Sequence, residues 1–120
     1  NVEFIARRKP EELPALLSAA TFYLQLSLSE GFPNALCEAM LCGCIPIVRD
    51  VSSMPGIVAD KGLVVKHRRV DDVVAVLEQA LLIGATGRDQ RSTEARVRIV
   101  DHFTSVKRLE AIRAAITSMH

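Results

Sequence analysis

The stretch from Phe22 to Val48 limits the fold more than any other part of the chain. It opens on an apolar run, Phe22 to Leu28, of strand length. Ser29-Glu30-Gly31-Phe32-Pro33 interrupts that run with loop-forming residues. Asn34 to Leu41 then reads as a helix, Gly43 as its stop, and Ile45-Pro46-Ile47-Val48 as a second apolar strand. Strand, loop, helix and strand in this order form one β–α–β unit. Two strands joined by a crossover helix lie parallel, so the sheet they start is parallel and covered by helices.

The rest of the chain repeats the alternation. Asn1 to Ala6 reads as a strand. Pro10 and Glu11-Glu12 suit a first helical turn, and Leu13, Leu16, Leu17 and Ala20 recur at helical spacing behind them. Ile57-Val58-Ala59 is long enough for one helical turn, and Gly62 to Lys66 is a further strand. Val70, Val73, Val74, Leu77 and Leu81 form another helical stripe, ending near Gly84. Gly84-Ala85-Thr86-Gly87 reads as a break, and Asp89 to Asp101 as a less regular helix. Val106, Leu109, Ile112, Ile116 and Met119 mark a last helix with Thr104 or Ser105 as its cap. The expected class is α/β, a parallel sheet of about four strands flanked by helices. It spans 1–120 as a single domain, with a helical C-terminal tail from about 88 to 120.

Glu38 is the chemical oddity of the central unit. Ala35, Leu36, Cys37, Ala39, Met40 and Leu41 surround it. A helix apolar on all sides is expected to be buried, and a carboxylate there needs hydrogen-bond partners. Asn34 and Glu38 stand four residues apart and share a face. Glu30 lies just past the first strand of the unit, and the helix start at Asn34 offers unpaired N–H groups. Open parallel sheets bind ligands at this junction. The expected site therefore holds a phosphate at the helix start and hydroxyls on Glu30 and Glu38, since an ionised carboxylate only accepts hydrogen bonds. A sugar nucleotide has both groups. The structural alternative is that Glu30 caps the helix and Glu38 makes a buried ion pair with an arginine.

Composition removes several other classes. A formal net charge of +1 argues against nucleic acid as a partner, and one Tyr with no Trp leaves little for base stacking. No apolar run reaches the length of a transmembrane helix, about 18 residues, and no signal peptide is visible. The three cysteines, Cys37, Cys42 and Cys44, have no framework spacing and read as reduced, small apolar residues. That usage fits a cytoplasmic compartment. No metal site is expected, because Cys42 and Cys44 have no further ligands nearby. A receiver-type phospho-acceptor domain has this size and alternation, but it needs an acidic pair after its first strand. Ala6-Arg7-Arg8 stands there instead.

The run Glu30-Gly31-Phe32-Pro33-Asn34-Ala35-Leu36-Cys37-Glu38-Ala39-Met40, followed by Gly43 and Pro46, resembles the E-x7-E signature of retaining GT-B glycosyltransferases of family 4. The resemblance covers about residues 1 to 85. It implies a Rossmann-like fold, here a partial GT-B C-terminal domain, which binds the nucleotide-sugar donor. By similarity Glu30 would be catalytic, contacting donor-sugar hydroxyls beside the reacting centre. Glu38 would bind the ribose. The backbone of Phe32, Pro33, Asn34, Ala35 and Leu36 would hold the diphosphate, with Asn34 near it, and Gly31 would also belong to the donor site. The implied reaction uses a nucleotide-diphosphate sugar as substrate, with no cofactor and no metal.

The chain also departs from that pattern. Ser52-Ser53 and Pro55-Gly56 stand where Gly-Gly and Pro-Glu are usual, and Ala6 stands where the first strand normally ends in Gly. The upstream Arg/Lys pair and the N-terminal GT-B domain, which holds the acceptor, are not in this sequence. The expectation is a fragment that is inactive alone and partners the missing N-terminal domain. The alternative is a non-catalytic nucleotide-binding or interaction module derived from the same fold. Arg49 is placed to reach a phosphate but reads more simply as a surface residue. His67, His102 and His120 read as surface residues too. Arg68-Arg69 and Arg88 to Arg98 read as solvated faces, with peripheral contact to anionic lipid at the inner face of a membrane as the alternative. A truncated sheet with an open edge invites self-association into a homo-oligomer.

Overall fold

The computed structural model describes residues 2–5, 9–26, 34–51, 54–67 and 69–103. A 3-10 turn, Pro10–Glu12, leads into α1, Leu13–Ser18. Then come β1 (Phe22–Gln25), α2 (Asn34–Leu41), β2 (Ile45–Arg49), α3 (Met54–Val58), β3 (Leu63–Val65), α4 (Val70–Leu81) and α5 (Ala85–His102). The three strands form one parallel sheet in the order β1-β2-β3. Phe22 stands opposite Ile45, and Ile47 opposite Leu63. This is the α/β class with its parallel sheet, as the alternation requires.

β2 lies in the middle, and Ile45, Pro46, Ile47 and Val48 are all buried. A strand covered on both faces has no solvent side, which explains its unbroken apolar run. Proline is tolerated here for a geometric reason. The Ile45 N–H donates to the Thr21 carbonyl on the β1 side, at 2.9 Å. Successive N–H groups point to opposite sides of a strand, so the donor that Pro46 lacks would face β3. The β3 ladder begins only at Ile47.

The pleat sorts side chains onto two layers. Tyr23, Val48 and Val64 face one side, where Leu36, Cys37 and Met40 of α2, Met54, Ile57 and Val58 of α3, and Ala95 and Ile99 of α5 make the larger core. Ile47 and Val65 face the other side, against Val73, Val76, Leu77 and Ala80 of α4. Gly43 ends α2 at φ +89°, a backbone shape that side chains resist. Its N–H closes the helix on the Met40 carbonyl at 3.0 Å.

Three expectations change. Residues 2–5 form no strand, so the sheet has three strands among the described residues rather than about four. A strand needs both a neighbouring ladder and a covered face. Residues 2–5 have neither: Val2 and Phe4 are 84% and 95% exposed. The break expected at Gly84 to Gly87 is shorter and lies earlier: α4 ends at Leu81, and Gly84, in extended conformation, is the last residue before α5. α5 starts at Ala85 and runs as one regular helix to His102, with Gly87 inside it. The arginines of α5 are not all solvated. Arg98 is half-buried and donates from Nε to the Ile57 carbonyl (3.1 Å) and from Nη2 to that of Gly56 (2.7 Å). Its guanidinium also stacks on Phe103, 5.4 Å from the ring centroid. Those contacts tie α5 to the end of α3, satisfying carbonyls that a helix end leaves open. The helix expected beyond Thr104 lies outside the described residues.

Candidate functional site

α2 begins at the C-terminal end of β1, where an open parallel sheet presents its crevice. Its composition is apolar nearly all round, but its burial is one-sided. Leu36, Cys37, Ala39 and Met40 are buried, whereas Asn34, Ala35, Glu38 and Leu41 are exposed. The burial expected for Glu38 is therefore wrong. Positions 34, 38 and 41 lie on the stripe facing away from the sheet, and the layer beside it, α1, stops short of covering them. Glu38 keeps its solvent and needs no buried arginine. This removes the ion-pair alternative and leaves the carboxylate available to a ligand.

The neighbouring helix adds a feature that sequence reasoning missed. Leu13, Pro14 and Leu17 of α1 face Leu41 and Cys42 across an apolar groove of about 420 Å³, and Glu38 stands on its wall. The apolar stripe of α1 reads as a core face in the sequence, yet no residue of that helix is buried. An apolar stripe left half-covered beside an exposed carboxylate is the signal of a groove. Chemically, the arrangement offers a flat apolar wall next to a group that accepts two hydrogen bonds.

Asn34 and Ala35 are exposed at the helix start, whereas Leu36 is fully buried, backbone included. Glu30, Gly31, Phe32 and Pro33 lie outside the described residues. Arg49 ends β2 opposite Val65. It shares the parity of Ile47, so its side chain leaves the sheet on the α4 side rather than the α2 side. Its Nε is shielded and has no partner among the described residues. His67 and His102 are exposed, as expected, and His120 lies outside the described residues. No three His, Cys, Asp or Glu side chains come together as a metal site among the described residues.

No disulfide links the three cysteines. Cys44 is fully buried, and its Sγ donates to the Leu17 carbonyl at 3.1 Å. Burial pushes its thiol up, and the nearby Cys42 adds to the shift. A thiol held above its ordinary range reacts slowly, because the thiolate is the nucleophile. Cys42 is half-buried on the groove wall. A colorimetric disulfide reagent is therefore expected to label Cys42 first in the native chain. Cys37 and Cys44 should follow only on unfolding; equal rates for all three would contradict the packing around α2.

Residues 1–98 match the family model described as "Glycosyl transferases group 1". The chain is 35% identical over 80 residues to O-antigen chain mannosyltransferase B of Escherichia coli, covering 67% of this chain and 21% of that protein. It is 37% identical over 76 residues to GDP-mannose:cellobiosyl-diphosphopolyprenol alpha-mannosyltransferase of Xanthomonas oryzae pv. oryzae (strain PXO99A), covering 62% of this chain and 20% of that protein. It is 28% identical over 83 residues to a phosphatidylinositol N-acetylglucosaminyltransferase subunit of Arabidopsis thaliana, covering 69% and 19% respectively. The chain thus spans about a fifth of the length of these curated relatives.

Proposed function

Because the chain belongs to the glycosyl transferases group 1 family, we propose that it is the donor-binding part of a sugar transferase and that α2 carries its nucleotide site. The observation that supports this most directly is Glu38, exposed on the wall of an apolar groove one helical turn beyond Asn34. The carboxylate accepts hydrogen bonds from the two ribose hydroxyls, and the groove between α1 and α2 takes the apolar side of the nucleoside. The backbone N–H groups of Phe32, Asn34 and Ala35 hold the diphosphate in this reading, Pro33 having none to offer, and the dipole of α2 favours the negative charge.

Glu30 completes the site in this reading, on the E-x7-E spacing. It binds donor-sugar hydroxyls and stabilises charge as the bond to the leaving phosphate breaks. The reaction retains configuration and needs no metal, as in the GT-B family 4 enzymes that the motif resembles. The acceptor site belongs to a second domain, so this chain alone binds donor without transferring sugar. Two relatives are named for mannosyl transfer and one names GDP-mannose, which makes GDP-mannose the first donor to test. Two name lipid-linked molecules, which supports a transferase working at a membrane surface. That association is peripheral in this reading; no helix among the described residues is long and apolar enough to cross a membrane.

Calorimetric titration with GDP, UDP and ADP tests the donor class. GDP is expected to bind about tenfold or more tightly than the others, a preference of roughly 1.4 kcal/mol. Equal affinity for all three, or a preference for UDP or ADP, would sink the GDP-mannose assignment.

A further inference from the structure

One polar pair in the sheet is not explained by the core. Tyr23 and Gln25 share the face of β1 that carries α2, and the Tyr23 O–H donates to Oε1 of Gln25 at 2.8 Å. Both residues are half-buried. The other described strand residues on that face, Pro46, Val48 and Val64, are apolar. Gln25 ends β1 and stands opposite Val48, which is fully buried in one cluster with Leu36, Cys37 and Met40 of α2. We propose that Tyr23 and Gln25 are positioning residues of the donor site: the hydroxyl fixes the amide, and the amide braces the first turn of α2, where the diphosphate is held. This rests on the donor-site reading above.

Stability alone does not account for the pair. A hydroxyl and an amide set beside an apolar cluster lose solvation, and their hydrogen bonding at best offsets that cost. Two apolar side chains of similar shape would pack there at least as well. The place of the pair gives it a use: it lies at the C-terminal end of β1, on the face where α2 begins, and that end of an open parallel sheet is where ligands bind.

The bond also sets a direction. With Oε1 turned to Tyr23, the N–H donors of the amide turn away from it, towards the end of the strand. Tyr23 itself packs against the cluster that holds α2, so its ring is anchored while its hydroxyl reaches Gln25. A side chain locked in this way keeps neighbouring binding groups, here the N–H groups of Asn34 and Ala35, in the geometry a ligand needs.

The test compares GDP with guanosine, which keeps the base and ribose but lacks the diphosphate. Both are titrated into the wild-type chain, Tyr23→Phe, Gln25→Met and the double variant, and followed through amide resonances, which report weak binding. Each single variant is expected to weaken GDP about tenfold while leaving guanosine within about twofold. The double variant should bind GDP no more weakly than either single one, since both remove the same link, and its melting temperature should stay close to that of the wild type. Tyr23→Phe leaves the ring in place and keeps the test decisive if the Gln25 variant does not fold. Equal losses for GDP and guanosine would mark a general structural effect and overturn the proposal, as would unchanged GDP affinity in the variants. A wild-type chain that binds GDP no better than guanosine, or not at all, overturns the diphosphate site of the donor reading and this inference with it.

Discussion

Gly62→Ala is expected to destabilise the chain by about 3 kcal/mol, lowering the melting temperature by roughly 10 °C or more. Gly62 stands just before β3 and lies against Pro46 of the central strand. A Cβ built there would run into the Pro46 carbonyl oxygen and ring, and into Cγ1 of Val58 at 2.9 Å. Two of those obstacles belong to a fully buried strand residue that cannot move without shifting β2. Gly56→Ala serves as the internal control. Gly56 lies within α3, with nothing within 4 Å of an added Cβ. Alanine there should raise stability by about 0.5 to 1 kcal/mol, because it restricts the unfolded chain and favours helix. Thermal unfolding of the two variants side by side checks the packing of β3 on β2. Equal effects from both would mean that β3 does not approach Pro46 as described.

The second large effect concerns α2 itself. Leu36 is fully buried between the sheet and α5, in the cluster with Met40, Val48 and Ile99. Leu36→Ala removes that contact and leaves a cavity, at an expected cost of about 2–5 kcal/mol. Ala35→Ser changes the adjacent, exposed residue of the same helix and should stay within about 0.5 kcal/mol. Denaturant midpoints compare the two directly. A neutral Leu36→Ala would show that α2 is not anchored to the core on this face, and Glu38 would then have no fixed place beside the groove.

The sheet was largely legible in the sequence. Phe22, Ile45 and Leu63 start strands where short apolar runs begin, and α4 covers Val70–Leu81, the span of its apolar stripe. Gly43 was legible as a helix stop because so few residues other than glycine take positive φ. The environment of Glu38 was not. Periodicity tells which residues are apolar, but not which face another layer covers, and α2 has apolar residues on both its buried and its open sides. The same limit explains residues 2–5. Val2, Phe4 and Ile5 have strand composition, yet composition does not supply a neighbouring ladder. Leu24 shows the matching gap from the sheet side, being 46% exposed on β1. The groove beside Glu38 depends on α1 lying against α2 without closing over it, a tertiary fact that no local pattern encodes.

The donor-site reading rests on Glu38. Because that residue is exposed, replacing it should leave the fold intact, so a change in binding reports on the ligand contact. The decisive measurement is a calorimetric titration of GDP into the wild-type chain and into Glu38→Ala, repeated with a 2′,3′-dideoxy analogue of GDP. Loss of hydrogen bonds to a charged group is expected to weaken GDP binding about 10- to 100-fold in Glu38→Ala. The dideoxy analogue should bind both chains equally weakly, since the variant and the analogue remove opposite ends of one interaction. If GDP instead binds Glu38→Ala as tightly as the wild type, Glu38 does not hold the ribose and the proposed donor site is wrong.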